Sequence, residues 1–352
     1  MCTLRRLRPI LTVAVLAAGL AGCSEPAPYR QESYVFGTRV ELTIAGTPEP
    51  AARSAAADAL ALLDSLHQRW HAWQPDSEVA GLNRAFAAGR SAPVAPDLAG
   101  LLRQAQEYET RADGLFSPAI GALVARWGFH GDHYASAPPS ADTVRALARQ
   151  QPRLADLTFS DNRVASRNPA VQLDLGGVAK GWALDAVRAR WVKAGLRSAL
   201  LNIGGNILAL GRHPDGTPWR VGLQHPRAAG AMATVTLDDG EAIGTSGDYQ
   251  RYFLAAGGRR YCHLIDPRDG SANCRLQSAT VIVPPSADAG ARSDAATKPI
   301  YLGGVASAMS YARRFGIEAV LLVDGQGEVW VSPAMARRLA WQAKPSRIHL
   351  LT

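Results

Sequence analysis

The chain has 352 residues, 47% hydrophobic and 19% charged, so it can bury one large core or two smaller ones. This composition excludes a largely disordered protein, which needs fewer apolar residues and more charge. The net charge is +8, but the Lys and Arg residues are scattered without interleaved aromatic residues. We therefore expect no nucleic-acid partner.

The first 22 residues have the pattern of a signal peptide. A start rich in arginine precedes an apolar stretch, residues 10–20, that is too short to span a membrane comfortably. Leu20-Ala21-Gly22-Cys23 resembles a bacterial lipobox, which makes Cys23 the lipidated first residue of the mature protein. The alternative is an ordinary signal peptide with a coincidental cysteine. We expect an exported lipoprotein on the periplasmic side, with a linker over 23–33 between its lipid anchor and the folded domain.

Helix and strand patterns are mixed along the rest of the chain. A 3.6-residue apolar rhythm predicts helices over 48–70, 96–113, 142–149 and around 305–315. Alternating apolar residues predict strands over 34–44, 171–175, 199–203, 207–210, 219–224, 233–237, 241–245, 251–255, 259–265, 279–283, 319–323 and 328–332. This order predicts one α+β domain over 34–352, with mixed or antiparallel sheets, because regular βαβ alternation is absent.

Cys262 and Cys274 are the cysteines left once Cys2 is removed with the signal peptide and Cys23 is lipidated. They bracket a predicted hairpin, and export permits a disulfide. A disulfide and two independent thiols both fit the pattern. Neither cysteine has metal-ligand spacing.

The segment LDLGGVAKGWALD, residues 173–185, is the most informative stretch. A predicted strand passes through Gly176 and Gly177 into a predicted helix, so backbone N–H groups and a positive helix end suit a phosphate there. Lys180 can add a full charge. The alternative is a tight turn whose glycines only permit close packing. The segment is neither a Walker A loop nor a GxGxxG fingerprint.

Four further stretches place polar groups on glycine-rich turns, at 202–206, 244–249, 263–270 and 293–297. Taken in order, the five stretches resemble the ApbE family of FAD:protein FMN transferases. LDLGGVAKGWALD is similar to that family's DLGG-[IV]-AKG-x-A-x-D signature, and LLNIGGNILALG, GTSGDYQRYF and HLIDPRDG resemble its NIGG-[DN], TSGDYxxYF and H-[IL]-IDPRTG segments. Upstream, VFGTRVELT, HAWQPDSEVAGLN and GLFSPAIGALVARWGF are similar to its MGT, YxPDSE-[IV]-xxLN and FDPTVGPLxxLWGF segments. The resemblance runs from Tyr34 to about Ser332.

This resemblance implies a single ApbE-like domain with helices packed around a flavin cleft. It also implies that FAD is the substrate and that a divalent metal, usually Mg²⁺, holds the pyrophosphate. A Thr or Ser hydroxyl of an acceptor protein would attack the FMN-side phosphorus, and AMP would leave. Implied acceptors are flavoprotein subunits of membrane electron-transport complexes or related exported flavoproteins. The family implies an inner-membrane anchor, whereas Ser24 after the lipidated cysteine leaves the outer membrane open.

The resemblance also assigns roles to individual residues. His263 would be the base that takes the proton of the acceptor hydroxyl. The metal ligands would be Asp294, Thr297 and the backbone carbonyl of Ala179. The flavin site would be lined by Phe36, Trp73, Ser117, Gly177, Lys180, Asp185, Ser246 and Ile265.

Several positions depart from the family pattern. Asp294 and Thr297 are three residues apart instead of four, although both spacings share one helix face. Lys298-Pro299 follows, and the proline predicts a shortened or kinked helix. Ser117 replaces an Asp and removes a carboxylate. Two alternatives to the transferase therefore stay open: a pyrophosphatase that splits FAD into FMN and AMP, and a non-catalytic flavin-binding lipoprotein.

Overall fold

A computed structural model of the chain describes residues 27–131, 137–272 and 274–352. The predicted signal peptide and Cys23 lie outside these residues. Within them the helices are α1 (Glu49–Trp70), α2 (Glu78–Ala87), α3 (Pro96–Arg111), α4 (Gly121–Trp127), α5 (Ala141–Ala148), α6 (Ala179–Lys193), α7 (Ala289–Gly303), α8 (Ala308–Arg314) and α9 (Pro333–Ala336). None of the helices described is long and apolar enough to cross a bilayer.

Most strands belong to one large sheet. The strands are β1 (Tyr29–Val35), β2 (Thr38–Ile44), β3 (Ala92–Pro93), β4 (Leu157–Ser160), β5 (Arg163–Ser166), β6 (Ala199–Ile203), β7 (Asn206–Leu210), β8 (Trp219–Gln224), β9 (Ala231–Leu237), β10 (Ala242–Gly247), β11 (Tyr252–Leu254), β12 (Arg260–Cys262), β13 (Leu276–Val283), β14 (Ala319–Asp324), β15 (Val329–Val331), β16 (Leu339–Trp341) and β17 (Ile348–Leu350). The large sheet has the order β1-β2-β6-β7-β10-β13-β14-β15-β17. Its strand pairs are antiparallel except β15 with β17, so the predicted α+β class with a mixed sheet is confirmed.

The centre of this sheet is covered on both faces. All of β13 is buried, as expected for a strand with packing on either side. Helices α1, α6 and α7 contribute to the main apolar core on one face. The small sheet β16-β9-β8 covers the other face through a second apolar cluster. A third cluster joins α4, α5 and the β11–β12 hairpin.

The strand registers bring the glycine-rich turns together at one end of the strands of the large sheet. Val40 of β2 pairs with Ile203 at the end of β6, so the β1–β2 turn and the β6–β7 turn lie side by side. On the next strands, Ile243 of β10 pairs with Ile207 near the start of β7, so the C-terminal end of β10 extends toward the β6–β7 turn. Three of the sequence motifs therefore lie close together at this end of the strands.

Three element predictions were wrong. Residues 171–175 are extended but form only an isolated parallel bridge, from Gln172 to Ile120, while Leu173 bonds the side-chain amide of Asn83 through both its N–H and its carbonyl. Helix α7 continues through Pro299 to Gly303, so the proline does not shorten it. β1 begins at Tyr29, inside the segment predicted as linker, because it pairs along its whole length with β2.

Candidate functional site

Helices α6 and α7 touch through two glycines. A Cβ on Gly181 would lie 2.3 Å from the carbonyl oxygen of Gly290, and a Cβ on Gly290 would lie 2.4 Å from the carbonyl oxygen of Gly181. Only residues without a side chain allow backbones this close. The contact places the start of α6, which follows the glycine corner at 176–177, directly against the first turns of α7.

The close approach brings Asp294 of α7 to the N-terminus of α6. The Gly181 N–H donates to Asp294 Oδ2 at 3.1 Å, so a carboxylate of the chain itself lies where the helix end favours an anion. Lys298 Nζ bonds Asp294 Oδ1 and also the Asp294 carbonyl oxygen at 2.8 Å. Lys180 Nζ lies 3.8 Å from Asp294 Oδ2. Burial disfavours the charge, but Lys180 and Lys298 hold the pKa of Asp294 below its ordinary value.

Asp294 and Thr297, two of the three residues predicted as metal ligands, already have hydrogen-bond partners within the chain. Both carboxylate oxygens of Asp294 already have cationic or N–H partners. The Thr297 hydroxyl donates to the Asp294 carbonyl at 2.8 Å and hydrogen-bonds the Ser246 hydroxyl at 2.7 Å. Across residues 27–131, 137–272 and 274–352, no three His, Cys, Asp or Glu side chains are grouped closely enough to hold a metal. With one carboxylate and two ammonium groups, the cluster does not fit Mg²⁺.

His263 follows β12 and lies against Arg251. Its Nδ1 is 3.2 Å from the Arg251 carbonyl oxygen, which can only accept, so the neutral ring carries its proton on Nδ1 and its lone pair on Nε2. Burial, aided by the charges of Lys180, Lys298 and Arg251, lowers the pKa of His263 to about 3. The ring is therefore neutral at physiological pH and has a nitrogen able to take a proton.

Aromatic side chains lie on the other side of the corner. Trp73 Nε1 donates to Asp174 Oδ2 at 2.9 Å, and Asp174 Oδ1 accepts the Gly176 N–H at 2.9 Å, which ties the Trp73 loop to the glycine corner. Phe36 occupies the β1–β2 turn at φ 56°, a conformation that bulky residues rarely adopt, and its ring contacts His67. Strain kept at such a turn is typical of functional positions.

A cavity of about 450 Å³ opens at the same end of the strands, between the large sheet and the β8–β9 hairpin. Its lining includes Thr38 beside the β1–β2 turn, Asn202 and Gly204 of the β6–β7 turn, and Thr245 of β10. The volume is within the range of small-molecule sites. Motifs that are far apart in the sequence therefore line one continuous concave region.

Comparison with known proteins shows the family. The profile of the ApbE family matches residues 36–321, most of the chain. The chain belongs to the ApbE family. A relative from Rhodobacter capsulatus, named FAD:protein FMN transferase, is 43% identical over 92% of this chain, and the match spans 61% of that protein. A Klebsiella pneumoniae protein of the same name is 34% identical over 74% of this chain and 80% of its own length.

Solved ApbE structures have the same fold. The ApbE protein of Thermotoga maritima superposes with a TM-score of 0.78 at 25% identity, covering 88% of this chain and 99% of that one. The apo form of the Pseudomonas stutzeri flavinyl transferase ApbE superposes with a TM-score of 0.75 at 29% identity, covering 88% and 96%. The resemblance seen in the motifs is therefore confirmed over most of the chain.

Among the residues assigned from ApbE motifs, one group converges at the α6–α7 contact. Lys180 Nζ donates to the Gly176 carbonyl at 3.0 Å, and a Cβ on Gly177 would lie 3.5 Å from Lys298 Cε. Ala179 is the first residue of α6, and its own N–H bonds the Leu175 carbonyl at 2.8 Å. These contacts gather the glycine corner around the two lysines.

The other assigned residues have different neighbours. Asp185 bonds the N–H groups of Gly290 and Ala291, both at 2.8 Å, and so caps the start of α7; burial raises its pKa to about 7. The Ser117 hydroxyl donates to buried Glu109, which supplies a carboxylate next to the position where the ApbE pattern has Asp. Ile265 belongs to the apolar cluster of α4 and β11–β12.

Sequence reasoning missed Lys298, Asp174 and Arg251 as site residues. Lys298 lies one helical turn after Asp294, and this i,i+4 spacing was the available signal for the pair. Asp174 stands inside the signature that identified the family. Nothing local in the sequence marks the carbonyl of Arg251. Cys262 and Cys274 are free thiols in the structure, and Cys262 is buried.

Proposed function

We propose that this protein transfers the FMN part of FAD to a Thr or Ser hydroxyl of an acceptor flavoprotein and releases AMP. The observation that carries the proposal is the neutral His263 ring, held through Nδ1 by the Arg251 carbonyl, next to the charges of Lys180 and Lys298. A base beside fixed positive charge is what attack of a hydroxyl on a phosphorus atom requires.

In the proposed reaction, His263 Nε2 takes the proton of the acceptor hydroxyl as its oxygen bonds the FMN-side phosphorus. The bond from this phosphorus to the bridging oxygen breaks, and AMP leaves with that electron pair. Lys180 and Lys298 offset the negative charge of the diphosphate. Phe36 and Trp73 offer aromatic surface for the isoalloxazine ring. Mg²⁺, which the family resemblance implies, is not part of this proposal, because both carboxylate oxygens of Asp294 already have partners.

The acceptors we propose are subunits of membrane electron-transport complexes or related exported flavoproteins. This proposal relies on the lipobox that ends at Cys23, since a lipidated protein on the periplasmic side would meet acceptors at a membrane surface. The names of the relatives support a flavin-carrying acceptor in general terms.

The test incubates the full chain with FAD and an exported flavoprotein fragment that carries a candidate Thr. We expect an FMN-sized mass gain on the acceptor, equimolar AMP, and loss of at least about 100-fold in rate in His263→Ala. His225→Ala is the control, because that ring bonds backbone N–H groups of its own turn and belongs to no ApbE motif. AMP and free FMN without acceptor labelling would favour the pyrophosphatase, and tight FAD binding without AMP would favour the flavin carrier.

The pH profile is a second prediction for the same site. Because the pKa of His263 is lowered to about 3, the base stays unprotonated between pH 5 and pH 8. We expect kcat/KM to lack an acid limb near 6.5, the ordinary pKa of His. A limb at 6.5 that is absent from the His225→Ala control would indicate that another histidine is the base.

A further inference from the structure

The inference concerns Lys298 and rests on the proposed function. Asp294 is buried, with 2% of its side chain exposed, and Lys298 is largely buried, with 16% exposed. Burying an ammonium group is unfavourable unless a carboxylate compensates for its charge. The position of Lys298 in this fold therefore depends on Asp294. The absent side chain of Gly177 leaves space beside this lysine, since a Cβ there would lie 3.5 Å from Lys298 Cε.

Every oxygen of Asp294 has a partner within the chain. Oδ2 accepts the Gly181 N–H at 3.1 Å and lies 3.8 Å from Lys180 Nζ. Oδ1 accepts from Lys298, and the carbonyl oxygen accepts from Lys298 at 2.8 Å and from the Thr297 hydroxyl at 2.8 Å. A divalent cation on this carboxylate would have to displace Lys298.

The charges of the cluster also disfavour a divalent cation. One carboxylate faces two ammonium groups, so the cluster carries a net charge of +1 before any metal is added. A metal here would be repelled by both lysines, and the described residues form no group of three or more His, Cys, Asp or Glu side chains that could hold one. A diphosphate, in contrast, is attracted by the excess positive charge and by the N-terminus of α6.

We infer that the ammonium group of Lys298, held by Asp294 beside Lys180, takes the place of a divalent metal in this chain and binds the diphosphate of FAD. The transfer then needs no divalent cation. The acceptor hydroxyl oxygen forms the new bond to the FMN-side phosphorus, its proton passes to His263, and the electron pair of the broken bond leaves with AMP. Lys298 and Lys180 supply the positive charge that a metal would otherwise supply.

Metal dependence of the unmodified full chain is the first test. We expect FMN transfer in excess EDTA to stay within about 3-fold of the rate with added Mg²⁺, because the stabilising charge is part of the protein. Loss of transfer in EDTA that Mg²⁺ restores would overturn the inference.

A binding measurement keeps the inference separate from the proposed activity. Titration of the full chain with Mn²⁺ in the presence of FAD, followed by electron paramagnetic resonance, should show no site on the unmodified protein. Lys298→Met should gain a Mn²⁺ site, because Oδ1 of Asp294 loses its ammonium partner. Lys193→Met, on the exposed end of α6, is the matched control and should gain none.

The FMN-transfer assay and the Mn²⁺ titration distinguish failure of the proposed function from failure of this inference. If the chain transfers no FMN under any condition, the proposed function fails, but the Mn²⁺ titration still decides whether Lys298 occupies the cation position. A Mn²⁺ site on the unmodified protein as tight as that of Lys298→Met would overturn the inference. Lys298→Met should also lower metal-free transfer by about 100-fold, with partial recovery on adding Mg²⁺.

Discussion

Two aspartates connect the same pair of helices, in opposite directions. Asp294 of α7 accepts the Gly181 N–H in the first turn of α6, and Asp185 of α6 accepts the N–H groups of Gly290 and Ala291 in the first turn of α7. Each helix is thus capped by a carboxylate from the other. Their further surroundings differ, because Asp294 contacts two lysines whereas the nearest bonds of Asp185 are to backbone N–H groups.

This difference predicts that Asp294 acts in the site and that Asp185 holds the two helices together. The lysines lower the pKa of Asp294, while burial raises the pKa of Asp185 to about 7. The Asp294 end carries excess positive charge next to the glycine corner and can attract a diphosphate. The Asp185 end is closed by its own hydrogen bonds and joins the helices. We therefore expect the α6–α7 contact to bind a ligand at its Asp294 end and only to join the helices at its Asp185 end.

Asp294→Asn should have the largest effect on stability. The amide leaves two partly buried ammonium groups without a counter-charge, and removing one partner of a buried pair lowers the unfolding free energy by up to about 3–5 kcal/mol. Urea unfolding of the variant measures this loss. Adding Lys298→Met should recover part of it, since one of the stranded charges is then gone. If the double variant is no more stable than Asp294→Asn, the lysines do not depend on this carboxylate.

Gly181→Ala tests the backbone contact that both aspartates share. The new methyl group would lie 2.3 Å from the Gly290 carbonyl oxygen, so the helices must separate, with a loss of about 3 kcal/mol in unfolding free energy. Gly100→Ala on α3 is the matched control, because a Cβ there meets nothing within 4 Å. That variant should be more stable by about 1 kcal/mol, since alanine favours helix. Equal stability of the two variants would contradict the close contact.

Local patterns in the sequence predicted much of this arrangement, and long-range contacts account for most of what was missed. The paired glycines and the apolar rhythm after residue 178 predicted the corner and α6. The bounds of α7 were not predicted because most of its residues are buried, so it has no polar face to produce a helical rhythm. The strand predicted at 171–175 is not a regular strand, because Leu173 bonds the side chain of Asn83 while its neighbours bond the backbone of residues 118–121.

The same limit applies to the two aspartates. The i,i+4 spacing of Asp294 and Lys298 is usual for exposed helix pairs, and only the fold shows that this pair is buried. The motifs assigned Asp185 to the flavin site, but its bonds are to residues more than 100 positions away in sequence. No local pattern distinguishes a carboxylate that caps a distant helix from one that faces a ligand.

Asp185→Ala should have the smallest effect of the three. It leaves the Gly290 and Ala291 N–H groups without an acceptor, which lowers the unfolding free energy by about 1–3 kcal/mol. Because the pKa is raised in the folded protein, this carboxyl contributes more stability below its unfolded pKa, and part of that contribution is lost as pH rises through about 7. The loss on substitution should therefore be larger at pH 5.5 than at pH 8, as urea unfolding at both values would show.

A structural cap also predicts that the KM for FAD stays within about 2-fold of the unmodified value, since no uniform binding to FAD is removed. A rise in KM of tenfold or more, with stability unchanged, would instead place Asp185 against the flavin and remove the contrast between the two ends of the helix pair.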